Sequence, residues 1–128
     1  MRKMNFNKVG ASITIAAFMF FLVSFANAQN PWTAPAADAA VVNAVKSDDA
    51  SIVAGKAIYT KSCKMCHGEK GDSKAGAPSN FTSKEFKAQS DGAIYFKINK
   101  GFGKMPAYKT KIAADNDRWN IVNYLRAL

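Results

Sequence analysis

Residues 63–67 read Cys-Lys-Met-Cys-His, and they contain both cysteines and the single histidine of this 128-residue chain. Two thiols separated by two residues can each add across one vinyl group on the same edge of a porphyrin, giving two thioether bonds. The imidazole of His67 follows directly and is carried beneath the ring, where its nitrogen can reach the iron. The pentapeptide therefore predicts one covalently bound haem c with its iron, attached through Cys63 and Cys66, with His67 as the proximal axial ligand.

Other interpretations of the two cysteines fit the sequence less well. A thioredoxin-like redox pair needs a βαβ surround and a reactive thiol at the start of a helix, whereas this motif follows a helical stretch. A structural zinc site needs about four protein ligands, and the chain offers two cysteines and one histidine. A disulfide across two intervening residues would be strained and would leave His67 without a role.

The N-terminal 28 residues have the pattern of a secretory signal peptide, predicted as residues 1–28. Arg2, Lys3 and Lys8 form a positively charged start, residues 9–25 are mostly apolar, and Ala26-Asn27-Ala28 is a small-x-small cleavage site. We expect cleavage after Ala28 and a periplasmic location. An uncleaved membrane anchor is the alternative, although the apolar run is at the short end for a membrane span.

The chain is basic, with a net charge of +9. A positive surface speeds encounter with acidic partners, so redox proteins with acidic docking surfaces are the expected partners. Nucleic acid is the generic alternative for a basic chain. Export and the lack of a nucleic-acid-binding motif argue against it.

The mature chain divides into a short N-terminal segment and one helical domain. Residues 29–50 are rich in alanine and proline with few large side chains, which predicts a tether or a loosely docked arm. Residues 51–128 form the predicted domain. A domain of this size usually needs a staple or metal site, which the haem would supply, so we expect the apoprotein to be poorly folded.

Three main helices are predicted in this domain, and no segment alternates as a strand would. The first spans about residues 51–62, and its apolar face ends at Cys63. The second starts at Ser90 or Asp91 and ends near Asn99, before Gly101. The third spans about residues 115–127, with aspartates near its start and an arginine near its end, as the helix dipole favours. The fold class is therefore all-α, with three main helices packed around one covalently bound haem.

The distal axial ligand follows by elimination. A second histidine is absent, and three of the five methionines lie in the predicted signal peptide: Met1, Met4 and Met19. Met65 lies inside the attachment motif, too close to turn back over the ring. Met105 remains, in a Gly-x-Met-Pro loop far enough from His67 for the chain to cross the haem edge, with Pro106 stiffening the turn. Ligation by histidine and methionine leaves no open iron position, which suits electron transfer rather than catalysis.

Residues 51–128 resemble the class I c-type cytochromes, small bacterial monohaem proteins. The matching segments are Gly55 to Tyr59 before the motif, Cys66-His67-Gly68, Asp91 to Gly101, Met105-Pro106, and Trp119 to Leu125. The resemblance implies that the first and last helices cross, with Gly55 and Tyr59 meeting Ile121 and Tyr124. It also implies that the carbonyl of Pro78 accepts the free N–H of the proximal imidazole.

The resemblance implies docking through lysines around the haem edge, and six flank the two ligand segments: Lys61, Lys64, Lys70, Lys104, Lys109 and Lys111. The partners of the haem propionates stay open among Lys104, Tyr108, Lys109 and Trp119.

Three functions remain in competition. The leading one is a monomeric periplasmic one-electron carrier, which is not an enzyme. The second is a haem-bearing subunit of a membrane respiratory or dehydrogenase complex, with residues 29–50 as the tether. The third is an enzyme or ligand sensor in which Met105 is displaced, and the lack of an acid–base constellation near the motif argues against it.

Overall fold

The computed structural model describes residues 33–72 and 79–128, and this part of the chain is built from six helices. In chain order they are α1 (Ala36–Ala39), α2 (Asp49–Ser62), α3 (Lys64–His67), α4 (Lys84–Lys87), α5 (Asp91–Lys100) and α6 (Asp115–Ala127). The described residues contain no strand, only an isolated antiparallel bridge between Phe102 and Met105. The all-α prediction is confirmed, and α2, α5 and α6 are its three main helices.

Polar side chains cap the N-termini of α2 and α5. The carboxylate of Asp48 accepts the backbone N–H of Ser51, and the Ser51 hydroxyl accepts that of Asp48, which completes a capping box. The helix therefore begins two residues before its predicted start. The Ser90 hydroxyl accepts the N–H of Ala93 at 3.2 Å, so Ser90 rather than Asp91 is the cap of α5.

The core is centred on the crossing of α2 and α6, the helix pair that the sequence predicts. At Gly55 a Cβ atom would lie 1.9 Å from the carbonyl oxygen of Asn120, so only glycine permits this approach. One turn later the buried rings of Tyr59 and Tyr124 lie 5.1 Å apart. The predicted partners Gly55, Tyr59, Ile121 and Tyr124 are all buried. The crossing holds α2, and with it the segment that leads into Cys63.

The arm that precedes α2 lies against the domain over residues 35–48. Asn123 of α6, which is 2% exposed, accepts the Asn43 side-chain amide at 2.8 Å. Its own amide donates to the carbonyl of Val45 at 3.3 Å and to the Ser51 hydroxyl at 3.1 Å. The hydroxyl of Ser90 donates to the carbonyl of Ala39 at 2.6 Å. Residues of the arm between Ala39 and Val45 are therefore in contact with α5 and α6.

Replacing Asn123 with alanine should destabilise the holoprotein by about 2 kcal/mol, because several polar groups of the arm lose their partner in a buried position. The midpoint and slope of urea unfolding would measure the change. Asn116→Ala, at an exposed position of the same helix, is the control and should stay within about 0.5 kcal/mol of the parent. Equal stability of the two variants would contradict the anchoring role of Asn123.

Two parts of the sequence prediction, the signal peptide at 1–28 and the loop residue Pro78, lie outside the described residues. Within 33–72 and 79–128, no helix combines the length and hydropathy needed to cross a bilayer.

Candidate haem-attachment site

The attachment motif lies at a junction between two helices. Cys63 ends α2, where its N–H donates to the Tyr59 carbonyl at 2.8 Å, and it also precedes the short helix α3. The N–H groups of Cys66 and His67 both donate to the Cys63 carbonyl, at 3.1 and 3.0 Å. Gly68 then ends the turn with a φ of 78°, a backbone conformation that favours glycine. The two thiols and the imidazole are therefore carried on a single helical turn.

Both thiols are unbridged, with Cys63 half-buried and Cys66 exposed. Burial raises the pKa of the Cys63 thiol to about 11, and the neighbouring Cys66 adds to the rise. Cys63 therefore stays protonated at neutral pH. A redox-active or nucleophilic cysteine requires a lowered pKa, so the thioredoxin-like interpretation does not fit this site.

The imidazole of His67 is buried, with 7% of the residue exposed, and it stacks on Phe81 with ring centroids 4.7 Å apart. Burial lowers the pKa of the His67 ring, and this outweighs a backbone interaction with Ser79 that acts in the opposite direction. The ring is therefore neutral at neutral pH, which is the form of histidine that ligates metals.

The residues of this turn fit a covalently bound haem. Nδ1 of His67 is buried and has no hydrogen-bond partner among the described residues, although buried polar groups normally have one. The same turn carries two unbridged thiols, which is the donor set that attachment at two vinyl groups requires. Pro78, expected to accept the imidazole N–H, lies in the segment that is not described.

Tyr59 supports the attachment turn from α2. Its ring is 1% exposed, and its hydroxyl donates to the carbonyl of Gly68 at 2.7 Å. Burial raises the pKa of Tyr59 to about 12, with smaller contributions from Cys63, Tyr124 and Asp72, so the hydroxyl remains a neutral donor. The sequence predicts a role for Tyr59 only at the crossing of α2 and α6. The structure adds a second role, since the same side chain fixes the residue that follows His67.

Two buried aromatic residues near the imidazole were missed by the sequence analysis. Phe81 contacts His67, Tyr59 and Phe86, the last with ring centroids 4.8 Å apart. The N–H of Phe81 donates to the Gly71 carbonyl at 2.8 Å, which closes the loop after the motif. The only signal in the sequence was an aromatic residue between Asn80 and Thr82, in a polar stretch that gives no periodicity.

Met105 lies in a tight two-residue turn. It exchanges two backbone hydrogen bonds of 2.9 Å with Phe102, and Gly103 at the tip has a φ of 58°. Gly101 ends α5 and packs backbone to backbone against this turn, because a Cβ there would lie 2.5 Å from the Met105 carbonyl oxygen. Glycines at 101 and 103 thus set the conformation of the segment, and Met105 itself is half-buried.

Tyr108 joins the methionine segment to the attachment segment. Its N–H donates to the Ile98 carbonyl at 3.0 Å, and its hydroxyl donates to the carbonyl of Ser62 at 2.8 Å, one residue before Cys63. Burial raises the pKa of Tyr108, with smaller contributions from Cys63 and Cys66. Through Tyr108, the segment that follows Met105 therefore contacts the end of α2 beside Cys63.

The six lysines expected around the haem edge are not equivalent. Lys64 pairs with Glu69 at 3.2 Å, and Lys111 lies over the ring of Tyr108 at 5.8 Å from its centroid. Five of the six are exposed: Lys61, Lys70, Lys104, Lys109 and Lys111. Among the candidate propionate partners, Trp119 is buried and stacks on Tyr95 with centroids 3.8 Å apart.

Comparison with known proteins identifies relatives of this domain. The family model described as cytochrome c oxidase, cbb3-type, subunit III matches residues 50–125. A chain of the reducing HAO-like protein complex of Kuenenia stuttgartiensis superimposes with a TM-score of 0.56 and 24% identity, covering 65% of this chain and 46% of that one. Cytochrome CL of the methylotroph Methylophaga aminisulfidivorans superimposes with a TM-score of 0.51 and 22% identity, covering 62% of this chain and 54% of that one.

These two structures are similar in fold, and the present chain spans about half the length of each. No curated protein gives a significant match. The family match and the structural likeness together confirm the predicted cytochrome c fold.

Proposed function

The chain belongs to the family of c-type cytochrome domains described as cytochrome c oxidase, cbb3-type, subunit III, and we propose that it is a periplasmic one-electron carrier with iron ligands His67 and Met105. Membership in the family implies covalently bound haem c and electron transfer. The observation that carries the proposal is the buried, neutral imidazole at the end of a turn that also presents two unbridged thiols.

When bound, haem c supplies an iron that gains and loses one electron. Cys63 and Cys66 would hold the haem through two thioether bonds, and His67 would ligate its iron. Phe81 stacks on the imidazole and limits its rotation, which favours one ring orientation in both oxidation states. Pro78 accepts the imidazole N–H in this proposal, and a bond of that kind raises the basicity of the ligand.

Met105 would supply the second protein ligand to the iron. Its turn is fixed by the close approach of Gly101 and by Tyr108, so the thioether can be held with little rearrangement. A thioether ligand raises the reduction potential of histidine-ligated haem. With His67 and Met105 both as ligands, the iron would have no site for oxygen or substrate, which suits a carrier rather than an enzyme. One attachment motif in the chain gives one haem per chain.

Export follows from the proposed cofactor and from the N-terminal sequence. Domains of this family are typically exported, and residues 1–28 have the pattern of a cleaved signal peptide ending at Ala28. The mature protein would then act as a monomer in the periplasm. Partners with acidic docking surfaces are favoured by the five exposed lysines beside the ligand segments: Lys61, Lys70, Lys104, Lys109 and Lys111.

A subunit of a larger membrane complex is the second candidate. It is favoured by the family description, which names an oxidase subunit, and by the similarity to a chain of a multi-protein complex. Both candidates use the same haem site. Fractionation in mild detergent separates them, since a diffusible carrier is recovered in the soluble periplasmic fraction and a subunit migrates with its complex.

Mass spectrometry tests the attachment site. The denatured protein, secreted by cells that can couple haem, should be heavier than residues 29–128 by one haem. The Cys63→Ala/Cys66→Ala double variant should lack that mass, because no thioether bond can form. The reduced protein should also resist carbon monoxide at neutral pH. A bare polypeptide would refute the haem assignment, and ready carbon monoxide binding would favour the ligand sensor.

A further inference from the structure

Arg118 is a buried cation on a helix whose other charged residues are more exposed. It is 4% exposed and lies one turn before Ile121 on the core-facing side of α6. A buried charge is costly unless hydrogen bonds replace the water that it loses. The contacts of its guanidinium therefore indicate why the residue is there.

Those contacts converge on the backbone that follows Met105. Nη1 donates to three carbonyls in one short stretch: Lys109 at 3.3 Å, Ala113 at 3.0 Å, and Ile112. Nη2 donates to the Tyr95 hydroxyl at 3.2 Å and to the carboxylate of Asp115. One side chain thus holds the loop at 109–113, while Asp115 and Tyr95 hold the side chain.

The loop fixed by Arg118 is continuous with the turn that carries Met105. Tyr108 holds the N-terminal end of this loop against Ser62 and Ile98, and Arg118 holds the residues that follow. We propose that Arg118 is a positioning residue that keeps Met105 in its ligating position, an inference that rests on the ligation proposed above. Arg118 acts through the backbone of the loop and does not contact the iron.

Removing the guanidinium should let the loop open more often, so that an external ligand competes better with Met105. Arg118→Lys keeps the positive charge, but a single ammonium group cannot reach carbonyls on several sides as the planar guanidinium does. In the ferric holoprotein we expect the affinity for added imidazole to rise about tenfold, which corresponds to the loss of about one charge-assisted hydrogen bond.

Arg126→Lys is a matched control on the same helix. Arg126 donates to the Asp91 carboxylate at 2.8 Å, to the Lys87 carbonyl at 3.0 Å and to the Gln89 carbonyl. Like Arg118, Arg126 donates to an aspartate and to several backbone carbonyls, but the segment that it holds is the link between α4 and α5. We expect Arg126→Lys to lower stability without changing the affinity for imidazole.

The experiment combines imidazole titration of the ferric holoprotein with hydrogen exchange of its backbone amides. Arg118→Lys should speed exchange at residues 102–113, and Arg126→Lys should speed it only around residues 87–91. Asp115→Asn removes the anion beside Arg118. It should raise the imidazole affinity and the exchange rate at residues 102–113 by a smaller factor, about threefold. It also provides the test if Arg118→Lys does not fold.

The outcomes separate this inference from the proposed function. Equal imidazole affinities for Arg118→Lys and Arg126→Lys, or unchanged exchange at residues 102–113, would overturn the positioning role while the haem ligation stands. If the parent protein lacks the weak long-wavelength band of methionine-ligated ferric haem, the ligation by Met105 is refuted, and the role of Arg118 with it.

Discussion

Met105→Ala should leave the porphyrin bonded to Cys63 and Cys66 but lower the reduction potential and open one axial position. Loss of the thioether removes the ligand that favours the reduced iron. The fall should be a sizeable part of the roughly 0.8 V range over which axial ligands tune haem potentials. The reduced variant should bind carbon monoxide at neutral pH. Potentiometric titration and the absorption spectrum with and without carbon monoxide measure both effects.

Met65→Ala is the control for loss of a methionine. Met65 lies inside the attachment motif but is 97% exposed, so its side chain contributes little to the packing around the haem. We expect the reduction potential and the absorption spectrum of Met65→Ala to match those of the parent protein. An unchanged spectrum in Met105→Ala would show that Met105 does not ligate the iron. A changed spectrum in Met65→Ala would indicate Met65 rather than Met105 as the ligand.

Gly55→Ala should destabilise the holoprotein by about 3 kcal/mol or more, because the added methyl group meets backbone atoms that cannot move aside. The new Cβ would lie 1.9 Å from the Asn120 carbonyl oxygen and 2.9 Å from Cβ of Tyr124, so α2 and α6 must separate. A loss of this size is a large part of the stability of a small domain. Thermal unfolding and the yield of holoprotein would measure it.

Helix propensity predicts the opposite sign for Gly55→Ala, a gain of about 1 kcal/mol. Ala57→Gly measures that term separately, since Ala57 is exposed on the same helix and should lose about 1 kcal/mol through propensity alone. If Gly55→Ala proved as stable as the parent, the close helix crossing would be refuted.

The main helices could be predicted from the sequence because their signals are local. Asp48 and Ser90 are strong caps, Gly101 ends α5, and the aspartates at the start of α6 suit its dipole. The short helices α3 and α4 carried no comparable signal, since four residues give no periodicity. The docking of the arm was also beyond local reasoning, because Asn43 and Asn123 meet only after the chain has folded.

The candidate site could be predicted to the extent that it rests on rare residues. One histidine and two cysteines leave few choices, and the structure places His67 in a buried position, while its ligand role stays a prediction. The ligation by Met105 stays a prediction. Arg118 could not be identified, because a charged residue on a helix usually faces water. Its burial is a consequence of where the loop at 109–113 lies, which the sequence pattern does not indicate.

The crossing of α2 and α6 has a consequence for the order of events during maturation. The helix that precedes the thiols gains its main packing partner from a segment much later in the chain, and joining distant segments is slow because loop closure costs entropy. We therefore expect α2 to remain incompletely packed until α6 has docked, so that the segment leading into Cys63 becomes fixed late in folding.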